Sequence, residues 1–138
     1  ERSALEALVL PANLKLTLLG DVAYEDVPSL MADADLLAFP TLADEWGLVV
    51  NEAMAAGLPV LASCRAQAAE EMVTDKENGW LFDPADPAST GTALGQALDT
   101  PAAARIAMGD AARQTAARFS HENTLRRMMQ AVETVWEQ

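Results

Sequence analysis

The sequence predicts an α/β fold in which a parallel sheet carries helices on both faces. Short, nearly unbroken apolar runs recur as far as Phe82, helical stretches separate them, and Gly or Pro punctuates most junctions. A strand buried on both faces reads as a continuous apolar run, because neither side meets water. Alternation of such runs with helices is the pattern of a parallel sheet. After Asp86 the chain reads as helix alone.

The elements follow in order. Ser3 to Val9 reads as helix. The chain begins at Glu1 without a methionine, close to that helix, so the sequence reads as a piece truncated at its N-terminus. Leu14 to Leu19 is an apolar run closed by Gly20-Asp21, which predicts a first strand. Glu25 to Ala34 is a short helix with Pro28 in its first turn, where a missing N–H costs nothing. Asp35 to Phe39 is a second strand, ended by Pro40. Gly47 to Ala56 is a helix closed by Gly57. Pro59 to Ala62 is a third strand, Gln67 to Met72 a helical turn or two, Asn78-Gly79 a turn, and Trp80 to Phe82 a fourth strand. Asp86-Pro87 reads as an N-cap followed by Pro at the first helical position, and Thr100-Pro101 repeats the device. Ser120 opens a last helix, roughly 120–138, that runs towards Trp136. The whole chain, 1–138, reads as one domain.

Bulk properties exclude several classes. Apolar residues make up 51% of the 138, too many for a disordered chain. Nine Lys and Arg against 21 Asp and Glu leave a net charge of −12, which argues against nucleic acid as a partner. An anionic ligand must then be attracted by local dipoles and a few cations rather than by the global field. Cys64 is the only cysteine, so one chain can build neither a disulfide nor a zinc cluster, and a reducing, cytoplasmic setting is the simpler reading. No apolar run reaches the roughly 18 residues of a membrane span.

The densest signal lies between Pro40 and Ser63. In a parallel sheet, ligands bind beyond the carboxyl ends of strands, and the Pro40-to-Gly47 segment sits at such an end. The helix that follows is apolar almost all round, interrupted only by Asn51 and Glu52, so it should be largely buried. A carboxylate there needs partners. Glu52 reads either as a ligand for ribose hydroxyls or as a solvated helix edge, paired with a base such as Arg65. Gly47 reads either as the close approach of a diphosphate cradle at the helix N-terminus or as a tight turn alone. Asp44 and Glu45 read either as site acids or as residues that cap the helix and complement its dipole.

The run Asp44-Glu-Trp-Gly-Leu-Val-Val-Asn-Glu52-Ala-Met-Ala-Ala-Gly-Leu-Pro-Val closely resembles the signature of the retaining glycosyltransferases of family four (group 1), which have the GT-B fold. That signature holds a Glu-x7-Glu motif followed by Ala-Met-Ala-x-Gly-x-Pro-Val. Glu71-Met-Val, Glu77-Asn-Gly-Trp-Leu-Phe-Asp-Pro84, Leu19-Gly20 and Ala34-Asp35 through Pro40 are similar to the family's flanking segments, so the resemblance covers nearly the whole chain. It implies a Rossmann-like domain, the C-terminal, donor-binding half of a GT-B protein. The implied activity is transfer of a hexose-type sugar from a nucleotide-diphosphate donor to an acceptor, with retention, in glycan, lipopolysaccharide, polysaccharide or glycolipid biosynthesis.

The resemblance also implies roles. Glu52 would hold the ribose hydroxyls. Asp44, first acid of the motif and the catalytic candidate, would contact hydroxyls of the transferred sugar. Backbone amides at Trp46, Gly47, Leu48 and Val49 would bind sugar and diphosphate oxygens, where charge builds as the glycosidic bond breaks. Gly20, Val22, Arg65 and Gln67 are candidates for base or phosphate contacts, with Arg65 reading also as a solvated loop residue and Gln67 as a surface loop residue. No metal or other cofactor is implied. The departures are Asp44 in place of the usual Glu, with Glu45 an alternative first acid in a shifted register, and Cys64 to Glu70 in place of a Gly-Gly pair. No match appears to the family's Arg and Lys that grip the diphosphate. The acceptor-binding half is expected to precede this chain, to carry any peripheral membrane contact, and to be required for turnover, so the chain alone should be inactive.

Other readings are a GT-B-fold UDP-sugar epimerase, which lacks the Trp46-to-Met54 segment as it stands here, and a non-catalytic nucleotide- or protein-binding α/β module. A receiver-like module would need clustered acids, and Asp21, Asp35 and Asp44 are poorly spaced for that. His121 reads as a surface residue at a helix start. Met128, Met129 and Trp136 read either as apolar surface awaiting the other half or as ordinary core.

Overall fold

The computed structural model describes residues 2–136. Its centre is a parallel sheet of three strands, β1 (Leu37–Phe39), β2 (Val60–Ser63) and β3 (Gly79–Phe82), in the order β1-β2-β3. Leu37 pairs with Val60 and Val60 with Gly79, so the strands start in step and their carboxyl ends share one edge. The helices are α1 (Arg2–Glu6), α2 (Val27–Ala32), α3 (Leu48–Ala56), α4 (Gln67–Met72), α5 (Pro87–Asp99), α6 (Ala102–Arg118) and α7 (His121–Trp136). Residues 137 and 138 of the expected last helix lie outside the described residues.

Both faces of the sheet are covered, as the unbroken apolar strands require. Val60 and Ala62 of β2 point into a cluster with Val50, Ala53 and Met54 of α3, Met31 of α2 and Met72 of α4. Leu61, between them, points the other way, to Trp80, Phe82, Ala93, Ala97 and Met108 under α5 and α6. Successive strand residues face opposite sides, so one four-residue strand serves two cores.

Four expectations need correction. Leu14 to Leu19 is not a strand. An apolar run becomes one only where a neighbour offers a ladder. Here Leu14, Leu16 and Leu19 are exposed, and β1 pairs with β2 alone. The expected helix from Glu25 begins as a 3-10 turn, Tyr24–Asp26, before α2. Thr100 does not cap α6: its hydroxyl donates back to Gln96 O of α5 at 2.7 Å, and Pro101 stands at the N-cap of α6. The helix after Gly47 is buried on one side only, with Leu48, Ala55 and Ala56 exposed. Asp86 behaves as expected, its carboxylate accepting from Ala88 N at 2.9 Å.

Two features align the site. α6 packs along α3 in the opposite sense. Gly109 sits against the Gly57 carbonyl at the end of α3, and Phe119 packs on Trp46 at its start with ring centroids 6.4 Å apart. A Cβ at Gly109 would overlap that carbonyl, so glycine there sets the closeness of the two helices. Asn78, fully buried, accepts from Thr74 N (2.8 Å) and donates to Met72 O (3.0 Å) and Thr115 Oγ1 (3.2 Å), tying the entry of β3 to α4 and α6. α7 buries no residue, and Leu125, Met128, Met129, Val132, Val135 and Trp136 face solvent along one stripe.

Candidate functional site

The segments that leave β1 and β2 run side by side at the carboxyl edge of the sheet. Asp44 N donates to Arg65 O (3.1 Å), Gln67 N to Asp44 O (3.4 Å) and Ala68 N to Trp46 O (2.7 Å). Asp44 and Ala66 form a parallel bridge, so this loop extends the sheet.

Gly47 then turns the chain into α3 with φ 90° and ψ 62°, in the left-handed region where a Cβ is disfavoured. A Cβ there would also come within 3.0 Å of Phe39 Cε1. Gly47 is the N-cap residue and offers no side chain, so no cap satisfies the first amides of α3. Leu48 and Val49 lie in that first turn, where N–H groups have no carbonyl one turn earlier to meet. Such a helix start favours anions.

Asp44 folds over this start, its Oδ1 accepting from Trp46 N at 3.0 Å. The amide of Trp46, expected among the ligand-facing donors, is therefore already engaged by Asp44. The amides of Gly47, Leu48 and Val49 have no hydrogen-bond partner among the described residues. Asp44 rather than Glu45 is the acid at the helix start; Glu45 makes no side-chain hydrogen bond or ion pair among the described residues. The Trp46 indole donates through Nε1 to Asn51 Oδ1 at 2.8 Å and packs on Phe119, which fixes the loop against α3 and α6.

Glu52 lies in the second turn of α3, four residues and about 6 Å of helix rise beyond Leu48. It is half-buried and accepts from the Tyr24 hydroxyl at 3.2 Å. No ion pair among the described residues involves it, and Arg65, its candidate partner, pairs instead with Asp83 at 3.2 Å. Glu52 borders a cavity of about 270 Å³ lined by Tyr24, Val27, Pro28, Met31 and Ala56. Tyr24 follows Gly20 and Val22 in the chain, but neither of those two lines this cavity. Gly20 holds φ 71° and Val22 is exposed.

Arg65 and Gln67 belong to the same edge as Asp44. Both are exposed, and Gln67 opens α4. The structure thus brings Asp44, Gly47, Leu48, Val49, Arg65 and Gln67 to one edge, with Glu52 further along α3 and bonded to Tyr24. Tyr24, Asn51 and Phe119 were missed as site residues. Asn51 carries a signal, since it breaks an otherwise apolar helix beside Glu52. Tyr24 and Phe119 carry none, because their contacts span 28 and 73 residues of sequence (52 − 24 and 119 − 46). No described helix is long and apolar enough to cross a membrane.

Comparison with known proteins identifies the family of the chain. The family model for glycosyl transferases group 1 matches residues 1–115. A D-inositol 3-phosphate glycosyltransferase from Corynebacterium urealyticum is 39% identical over 106 residues, 77% of this chain and 24% of that protein. An MMP alpha-(1->4)-mannosyltransferase from Mycolicibacterium hassiacum is 39% identical over 93 residues, 67% of this chain and 22% of that protein. This chain therefore spans about a quarter of the length of the curated relatives it matches. Among solved structures, a sucrose-phosphate synthase from Thermosynechococcus elongatus aligns with a TM-score of 0.73 at 27% identity, over 88% of this chain and 30% of that one. Anabaena Alr3699/HepE in complex with UDP aligns with a TM-score of 0.62 at 30% identity, over 79% and 30%. The Rossmann-like α/β arrangement is that of GT-B glycosyltransferases, and the chain belongs to the group 1 glycosyl transferases.

Proposed function

We propose that this chain is the donor-binding half of a retaining, hexosyltransferase-type enzyme that moves a sugar from a nucleotide-diphosphate donor to an acceptor. The observation that carries the reading is Glu52: a half-buried carboxylate on α3 that no cation neutralises among the described residues, a turn beyond a helix start that no side chain caps. Ribose hydroxyls donate in pairs and would meet the acid. Diphosphate oxygens would meet the amides of Gly47, Leu48 and Val49, with Arg65 and Gln67 beside them. Asp44 would contact the transferred sugar through the face it leaves to solvent. Gly20 and Val22, in the segment that leads to Tyr24, would contact the base.

UDP comes first in a donor screen, because the similar Anabaena protein holds it. The chain spans a quarter of its relatives, and we place an acceptor-binding half before it, against the exposed apolar stripe of α7. The enzyme needs no metal in this reading, since amides at the helix start take up the leaving charge.

Two experiments test it. The 138-residue chain, titrated with UDP, GDP and ADP, should bind weakly. In the full-length protein, Glu52→Ala should abolish donor use with the fold intact, and the anomeric configuration of the product should match that of the donor. Unchanged turnover of Glu52→Ala would remove the assignment of Glu52, and an inverted product would remove retention.

A further inference from the structure

We propose a second anion site, in the groove where α6 ends and α7 begins, that takes a compact soluble phosphate or diphosphate anion. Arg118, Asn123, Arg126, Arg127 and Gln130 line a cavity of about 320 Å³ there. Three of the chain's nine basic residues thus share one groove of a protein with net charge −12, and no acid lines it.

The arginines are not explained by structure alone. No ion pair among the described residues involves any of them, and Glu122, four residues before Arg126, does not reach it. Arg118, in the last turn of α6, gains from that helix's dipole. Arg126 and Arg127 lie in the second turn of the 16-residue α7, too far from its C-terminus to gain likewise. Like charges gathered this way repel one another, and an anion relieves that repulsion. Guanidinium groups are also the side chains best shaped to grip phosphate oxygens in pairs.

The groove is preformed. Asn123 Nδ2 donates to Ala117 O at 2.7 Å, and Ser120 Oγ accepts from Asn123 N at 3.3 Å, fixing the angle at which α7 leaves α6. Asn123, Arg126, Arg127 and Gln130 fall at i, i+3, i+4 and i+7, on one side of α7, whereas the apolar stripe of Leu125, Met128, Met129 and Val132 lies on the other. A membrane that received the stripe would leave the arginines facing away from its headgroups. The net charge would also repel an anionic surface. A compact soluble anion fits both facts. Phe119, next to Arg118, packs on Trp46, so the end of α6 lies near the start of α3. The inference does not rest on the donor reading, and Glu52 plays no part in it.

The test is a titration of the isotope-labelled chain with inorganic pyrophosphate, followed by NMR. Saturable shifts at Arg118, Asn123, Arg126 and Arg127 are expected. Arg126→Gln/Arg127→Gln should weaken them by about tenfold or more, as loss of charged hydrogen bonds does. Arg2→Gln/Lys15→Gln, which removes the same charge from residues that do not line the groove, should leave them in place. If circular dichroism shows that the glutamine pair has lost α7, the Arg126→Lys/Arg127→Lys pair takes its place and should weaken binding partially. Absence of saturable shifts in the groove, shifts confined to Gly47, Leu48 and Val49, or equal losses in the groove and control variants would each overturn the site. Sedimentation with vesicles of equimolar phosphatidylcholine and phosphatidylglycerol, dependent on Arg126 and Arg127, would overturn the soluble ligand in favour of a lipid headgroup.

Discussion

Replacing Gly47 by Ala strikes the turn that opens α3, and the structure allows its cost to be worked out. An L-residue held in the left-handed conformation of Gly47 costs about 1–2 kcal/mol. The new methyl would also sit 3.0 Å from Phe39 Cε1, and Phe39 packs against the core and cannot simply swing away. Crowding of that kind adds about 1 kcal/mol, for a total near 2–3 kcal/mol. With a urea slope of about 2 kcal/mol per M, the midpoint should fall by about 1–1.5 M. Gly91→Ala makes the same chemical change inside α5, where nothing lies within 4 Å. There Ala should stabilise by about 0.5–1 kcal/mol and raise the midpoint, because a helix interior favours it over Gly. Urea unfolding of the two variants, followed by circular dichroism at 222 nm (a standard wavelength, roughly the helix minimum), gives shifts of opposite sign if the account is right. A fall of less than about 0.3 M for Gly47→Ala, or two shifts of the same sign, would refute the idea that backbone conformation fixes glycine at this helix start.

Two further substitutions probe what holds the site in place. Asn78→Ala leaves Thr74 N and Met72 O without their buried partner, and should cost about 2–4 kcal/mol in the same unfolding assay, whereas a change under about 1 kcal/mol would mean that other groups or water already serve them. Gly109→Ala forces α6 away from the Gly57 carbonyl; it should lower the unfolding midpoint and also shift the NMR signals of Trp46 and Phe119 at the far end of the helix pair, and unchanged signals there would show that α6 does not set the loop.

Local chemistry was readable in the sequence, and partnership across the chain was not. β2, α4 and the Asp86 cap follow from residues next to one another: an unbroken apolar run, an alanine-rich stretch before Glu70-Glu71, and an acid before Pro87. The Leu14-to-Leu19 run has strand composition too, yet a strand also needs a neighbour, and that is not written in the run itself. The same limit governs the site. The tight turn at Gly47 and an acid before the helix start were readable because both act within a few residues. Composition marked Arg65 as a cation but could not tell whether it would face Glu52 or Asp83; the register of β2 against β3 decides that, by placing the two strand ends side by side. Thr100 shows the converse, since two capping patterns overlap there and the hydroxyl served the helix behind it.

Net charge sets how the two proposed anion sites should respond to salt. At −12 the whole chain repels a nucleoside diphosphate, and at 0.1 M salt that field still reaches about 10 Å. At the start of α3 the attraction comes from amide dipoles in direct contact, which salt screens little, and from Arg65, whose exposed pair with Asp83 blunts its charge. Raising salt from about 20 to about 200 mM removes the repulsion faster than the attraction. UDP binding read at Leu48 and Val49 should therefore hold steady or strengthen. In the Arg118 groove the attraction is three full charges, and salt should weaken pyrophosphate there. NMR reports both sites in one titration, and the Arg126→Gln/Arg127→Gln variant removes the groove from the nucleotide measurement. If UDP binding at α3 instead falls steeply with salt in that variant, cations and not amides hold the diphosphate. Arg65 would then have left Asp83 for the ligand, and the description of the α3 start as the anion grip would be wrong.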